Sequence, residues 1–106
     1  MRILLAETVP RRFRRQLPEH EVRTVPEMGW ASFKNGNLLA AASGKFDVLV
    51  TTDQRLSYQV NVSAFPIAVI ALVAKRNKFE SLVPLIPEFK AALAEAKPGE
   101  VRRVGS

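Results

Sequence analysis

The chain has 106 residues, 47% of them hydrophobic, with no cysteine, a single histidine (His20) and a formal net charge of +6. That length predicts one domain, residues 1–106, able to bury a core without staples. The composition excludes disulfides, thiolate metal sites and thiol catalysis and argues against a histidine-held zinc, so any metal must be held by oxygen, as Mg²⁺ or Mn²⁺ is. Sixteen Lys and Arg against ten Asp and Glu favour a polyanion, most commonly nucleic acid, although an acidic protein partner or mere solubility accounts for the same balance. No basic stretch followed by a long apolar run opens the sequence, and no run of about 18 apolar residues occurs. Neither a signal peptide nor a membrane span is therefore expected, and the cytoplasm is the default compartment.

Residues 2–6 (RILLA) are short and apolar and read as a first buried strand, with Thr8 available as a helix N-cap and Pro10 tolerated in the first turn. A helix to about Leu17 follows. At 100° per residue it gathers Arg11, Arg12 and Arg15 in one sector, flanked by Arg14, with Phe13 and Leu17 on the opposite side. This basic face is either a phosphate-contacting surface or a solvated one. Pro18 ends the helix, and residues 21–25 (EVRTV) alternate as a second strand closed by Pro26. In the loop through Glu27, Met28, Gly29 and Trp30, the tryptophan reads as a packing residue in preference to a base-stacking platform. A second helix starts near Asn35, buries Leu38, Leu39 and Ala42, and ends at Gly44; Asn35 or Asn37 is its expected cap.

Residues 46–53 (FDVLVTTD) organise the rest of the chain: an apolar run reads as a strand buried on both faces and delivers Asp53 to its carboxyl end. Residues 54–63 (QRLSYQVNVS) read as a loop with one helical turn, offering Tyr58, Gln59 and Asn61 as hydrogen-bonding side chains. Residues 66–73 (PIAVIALV) suit a central strand, followed at once by Lys75, Arg76, Asn77 and Lys78. A last helix from about residue 78 to Ala96, kinked or restarted by Pro84 and Pro87, buries Phe89, Leu93 and Ala96. Residues 100–104 (EVRRV) suit a short edge strand whose arginines discourage further pairing.

This alternation predicts an α/β fold of three layers, with a mostly parallel central sheet of four to five strands and helices on both faces. Every strand then ends on one rim, where ligands bind in such sheets. Ala6 and Glu7, Glu27, Asp53, and Lys75 with Arg76 arrive there. A pair of carboxylates on that rim suits a divalent cation and an activated water for phosphodiester hydrolysis, with the cations neutralising the phosphate. Asp53 alone is equally well explained as the cap of the next turn. No Gly-rich phosphate loop, GxSxG elbow or Ser/His/Asp set is present.

Over nearly its whole length the chain resembles the PIN-like ribonuclease toxin domains of the small, stand-alone bacterial kind. The resemblance rests on LLAETVP at residues 4–10, on the Gly29-Trp30 loop leading to Lys34, Asn35 and Gly36, and on Thr51, Thr52 and Asp53 closing the third strand. It implies a Mg²⁺- or Mn²⁺-dependent endoribonuclease acting on RNA, usually beside an inhibitory antitoxin protein, without a membrane partner and with a homodimer allowed. Carried over position by position, it makes Asp53 a metal ligand and Glu7 a secondary ligand or water-orienting base. Ala6 occupies the place of the expected first aspartate, Asn35 offers a neutral oxygen where relatives often carry Asp, and Arg55 reverses the charge of a further acid. Metal binding should accordingly be weak or absent, because hard cations need anionic oxygens. Ala6 reads as a substitution that disables a toxic enzyme, as a natural loss of catalysis, or as a sign of another ligand set; the isolated mismatch favours the first. The alternative is a non-catalytic module of the same fold that holds RNA or an antitoxin. Either reading gives Arg11, Arg12, Arg15, Lys75 and Arg76 to nucleic acid, with Thr52, Arg55, Gln59, Asn61 and Asn77 lining the site.

Overall fold

The computed structural model describes residues 1–76 and 78–105. Five strands, β1 (Arg2–Leu5), β2 (Glu21–Thr24), β3 (Val48–Thr51), β4 (Ala68–Val73) and β5 (Val101–Gly105), form one all-parallel sheet in the order β2-β1-β3-β4-β5. β3 is buried at every position and β4 at all but its last, as central strands covered on both faces must be. β2, at the edge, alternates instead, with Val22 and Thr24 buried and Glu21 and Arg23 exposed. No helix among the described residues is long and apolar enough to cross a membrane.

Two apolar layers sandwich the sheet. On one face, Ile3, Leu5, Val48, Val50, Ile70 and Leu72 meet Phe13 and Leu17 from the β1–β2 connection. They also meet Leu82 of α3 (Phe79–Leu82) and Ile86, Phe89 and Leu93 of α4 (Ile86–Glu95). The rings of Phe13 and Phe89 meet edge to face at 5.2 Å and tie the first and last helical segments together. On the other face, Leu4, Ala6, Leu49 and Val69 pack beneath Leu38, Leu39 and Ala42 of α1 (Asn35–Ala42) and Leu56 of α2 (Leu56–Gln59).

The expected three-layer α/β architecture with four to five strands is what the chain adopts, and several local expectations are corrected. The basic segment Arg11–Gln16 is a 3-10 helix, not an α-helix. The seven residues between Pro10 and Pro18 are too few to offset the cost of nucleating an α-helix, and the tighter winding still seats Phe13 in the core. Thr8 does not cap it: the Thr8 hydroxyl oxygen accepts the Thr52 backbone N–H at 3.3 Å across the sheet. Neither Asn35 nor Asn37 caps α1, whose N-cap is Lys34 with no side-chain bond. The expected stop holds at its other end, where Ser43 is the C-cap and Gly44 follows at φ 83°, a left-handed conformation suited to glycine. The run at 46–53 pairs as a strand only over Val48–Thr51, and Phe46 turns into the α1 layer. The helix expected over residues 78–96 is restarted at its prolines as α3, a 3-10 turn Val83–Leu85, and α4.

Candidate functional site

The strand order fixes where a site can form. From β1 the chain crosses one face to the outer strand β2, then returns over the opposite face, through α1, to β3 on the other flank of β1. The connections leaving β1 and β3 therefore part to opposite faces and open a crevice at the carboxyl ends of those two strands. Ala6, Glu7, Thr8, Thr52 and Asp53 end up there. The Ala6 N–H donates to the Val50 carbonyl at 2.9 Å, extending the β1–β3 ladder one residue beyond β1, and the Thr8–Thr52 bond closes it.

Asp53 leaves the sheet with its own N–H donating to the Thr51 hydroxyl at 3.0 Å. Its carboxylate turns back to accept the Arg55 backbone N–H at 2.9 Å and the Arg55 Nε–H at 3.3 Å. Burial at the strand end raises the Asp53 pKa, but the Arg55 backbone and guanidinium donors, the Asn35 amide and the Arg55 charge outweigh it. The net pKa is below the ordinary value. Asp53 organises the turn into α2, and it lines an open cleft of about 570 Å³ with Lys34, Asn35, Gly36, Arg55, Gln59 and Val60. Because Asn35 is released from capping, its amide donates to Gln59 Oε1 at 2.8 Å across this cleft.

The expected site residues divide on this geometry. Asp53, Asn35, Arg55 and Gln59 come together, and Thr52 adjoins them with its hydroxyl buried and without a partner among the described residues. Ala6 is buried in the α1 and α2 layer, where its methyl group contributes packing and no polar atom. Glu7 lies in the exposed turn after β1, where the strand has already ended, and it does not line the Asp53 cleft. Asn61 accepts the Ser63 hydroxyl at 2.6 Å and Tyr58 accepts a bond from Arg103 at 3.2 Å, both outside the cleft. Lys75 lines a different groove, with Glu88 and Gly105, and the exposed Arg76 does not join the Asp53 cleft. Asn77 lies outside the described residues.

Two features were missed in the sequence. Gln54 spans the ends of β3 and β4, its amide donating to the Thr52 carbonyl at 3.2 Å and the Leu72 carbonyl at 2.9 Å. Arg14 joins Arg11, Arg12 and Arg15 around a second cleft, of about 280 Å³, with Glu27 as its one carboxylate. Glu27 thus leaves the rim set and pairs with the Arg14 guanidinium, while its Oε1 also accepts the Thr24 N–H at 2.8 Å. The Thr24 N–H, opposed by burial and helped by Arg14, draws the Glu27 pKa below its ordinary value. The Thr24-x-x-Glu27 spacing, a capping-box signature, was the available signal.

No family model, curated protein or solved structure matches this chain. The chemistry must be read from the residues themselves. Among the described residues no three His, Cys, Asp or Glu side chains gather into a group able to hold a metal ion. Asp53, already occupied by a guanidinium, is the one carboxylate lining its cleft. A hard divalent cation, which needs several oxygens including anionic ones, does not fit that donor set.

Proposed function

We propose that the chain is a PIN-like domain of the ribonuclease-toxin type whose acidic centre is incomplete at Ala6, so that it holds RNA without cutting it. The observation that carries this reading is the position of Ala6. It extends β1 at the crevice between β1 and β3, on the face covered by α1 and α2, and the first residue of α1 is Asn35, which shares a cleft with Asp53. A carboxylate there would give the strand-end pair that phosphodiester hydrolysis calls for, whereas a methyl group supplies none. A cleft with a single carboxylate, already paired with a guanidinium, supports this reading, because hard divalent cations need several oxygens including anionic ones.

The test is RNA cleavage in Mn²⁺ by the chain, by Ala6→Asp, and by Ala6→Asp combined with Asp53→Ala. Cutting by the single variant alone is the expected result. If none of the three cuts while all bind RNA, the nuclease ancestry of the site is wrong.

The second reading, a binding module for RNA or an antitoxin-like protein, is favoured by the arginine cleft. Four guanidinium groups face one carboxylate there, a surface suited to an anionic partner and independent of any carboxylate pair. Binding without cleavage, weakening steeply with salt, is its expected signature for RNA.

A further inference from the structure

The winding of Arg11–Gln16 decides what its arginines can do. In a 3-10 helix, residues three apart eclipse one another. Arg11 therefore stacks over Arg14, Arg12 over Arg15 one-third of a turn away, and Phe13 and Gln16 take the remaining stripe, with Phe13 in the core. The four arginines of this six-residue helix line one concave space of about 280 Å³, Arg14 half-buried and the others exposed.

Their existing partners leave most of that charge unspent. Arg12 lies over the Phe79 ring at 4.6 Å and meets the exposed Glu80 only at 4.0 Å. Arg14 is held by Glu27, and its Nε–H is buried with no acceptor among the described residues. Arg11 and Arg15 make no ion pair among those residues. Glu27 is fixed by a reciprocal bond pair with Thr24, its own N–H donating to the Thr24 hydroxyl at 3.3 Å. The cleft thus already binds one oxyanion, a carboxylate supplied by the chain itself.

We propose that the Arg11–Arg15 cleft is a site for a compact, multiply charged phosphate group, a terminal phosphate or a diphosphate, and that Glu27 is a built-in carboxylate that weakens it. Guanidinium forks match phosphate oxygens in pairs. The volume lies just below the usual range for whole small-molecule ligands, yet accommodates one or two phosphates. The four arginines share one small cleft, and Lys75 lines a separate groove. That arrangement favours a dianion at a chain end over the single charges spread along internal phosphodiesters.

The terminal phosphate of RNA is the source that rests on the function proposed above, and free pyrophosphate is independent of it. The experiment measures the affinity of the intact chain at fixed salt for pyrophosphate and for one short single-stranded RNA carrying either a 5′-phosphate or a 5′-hydroxyl. The 5′-phosphorylated RNA is expected to bind about tenfold more tightly, with pyrophosphate competing. Arg11→Ala with Arg15→Ala, both exposed side chains, should abolish the preference and the competition. Glu27→Gln keeps the acceptor for Thr24 and should tighten both ligands severalfold; a merely structural Glu27 would instead give loosening, through a displaced Arg14. Pyrophosphate binding that is lost in the arginine variant, in a chain that binds neither RNA, upholds the cleft and removes the RNA reading. RNA binding that is indifferent to the terminal phosphate, with no pyrophosphate binding, overturns the cleft and leaves that reading standing.

Discussion

Replacing Ala6 by aspartate tests the geometry of the rim without any RNA. Ala6 is only 9% exposed and packs beneath α1 and α2, at the β1–β3 strand-end crevice that also receives the ionised Asp53. A carboxylate there loses water and faces a like charge, both of which raise its pKa above the unfolded-state value of about 3.9. Arg55, the guanidinium at Asp53, is already bound to it. Each unit of displacement costs about 1.4 kcal/mol once the medium is well above the folded-state pKa, and a displacement of two to three units gives roughly 3–4 kcal/mol. Such a loss is severe for a domain with a total stability of about 5–15 kcal/mol. The sign follows from linkage: the penalty is absent below the unfolded pKa, grows as pH rises towards the folded one, and is constant above it. Urea unfolding from pH 4 to 8 should therefore show the variant falling away from the parent as pH rises. Excess Mn²⁺ should recover about 2.7 kcal/mol at a hundred times its dissociation constant, an effect missing from the parent. A variant whose stability difference from the parent is flat across this range and indifferent to Mn²⁺ would refute the placement of position 6 beside Asp53.

Two further outcomes follow from the same contacts. Arg55→Ala removes a guanidinium donor and its charge from Asp53, so the Asp53 titration, followed by carbon NMR of its carboxyl, should move upward. In the parent, stability from the depressed Asp53 pKa is present above the ordinary carboxyl range and lost as pH falls through the folded value; the variant should lose it at higher pH, by about 1 kcal/mol or less because Arg55 is 76% exposed. Phe89→Ala empties the space against Phe13 beneath the sheet and should cost about 3–5 kcal/mol in urea unfolding, with ΔΔG below 1 kcal/mol contradicting the two-layer core.

The sheet is legible in the sequence because a strand buried on both faces is made of apolar residues, as residues 48–50 and 68–72 are. The prolines at 84 and 87 likewise reveal the restarts of the last helix, since each lacks an amide hydrogen. The polar side chains were harder to place because each has several local partners and the tertiary structure supplies a distant one. Thr8 had a helix to cap and instead meets Thr52, 44 residues away; Asn35 had α1 and instead meets Gln59. The RRFRR segment is too short to sustain the α-helical angle of about 100° per residue at which it presents one basic stripe. That changed a single basic stripe into two eclipsed pairs and brought Arg14 into the cleft.

The two rim clefts answer opposite electrostatic questions with the same economy of partners. At Asp53 one carboxylate is answered by one guanidinium, from Arg55, so the cleft is close to neutral at its centre and has little left with which to attract a cation. At Arg14 one guanidinium is answered by one carboxylate, from Glu27, but three more arginines surround the pair and the excess stays positive. A partner steered by the field of this chain is therefore drawn first to the 3-10 helix at the β2 side of the rim, and Asp53 acts on it only if the chain of that partner is long enough to cross the end of β1. For an RNA this makes length a variable: a terminal phosphate alone should occupy the arginine cleft, and only a longer strand should respond to substitutions at Asp53 or Asn35. Equal sensitivity of short and long RNAs to those substitutions would mean that the clefts are not sequential stations along one bound strand.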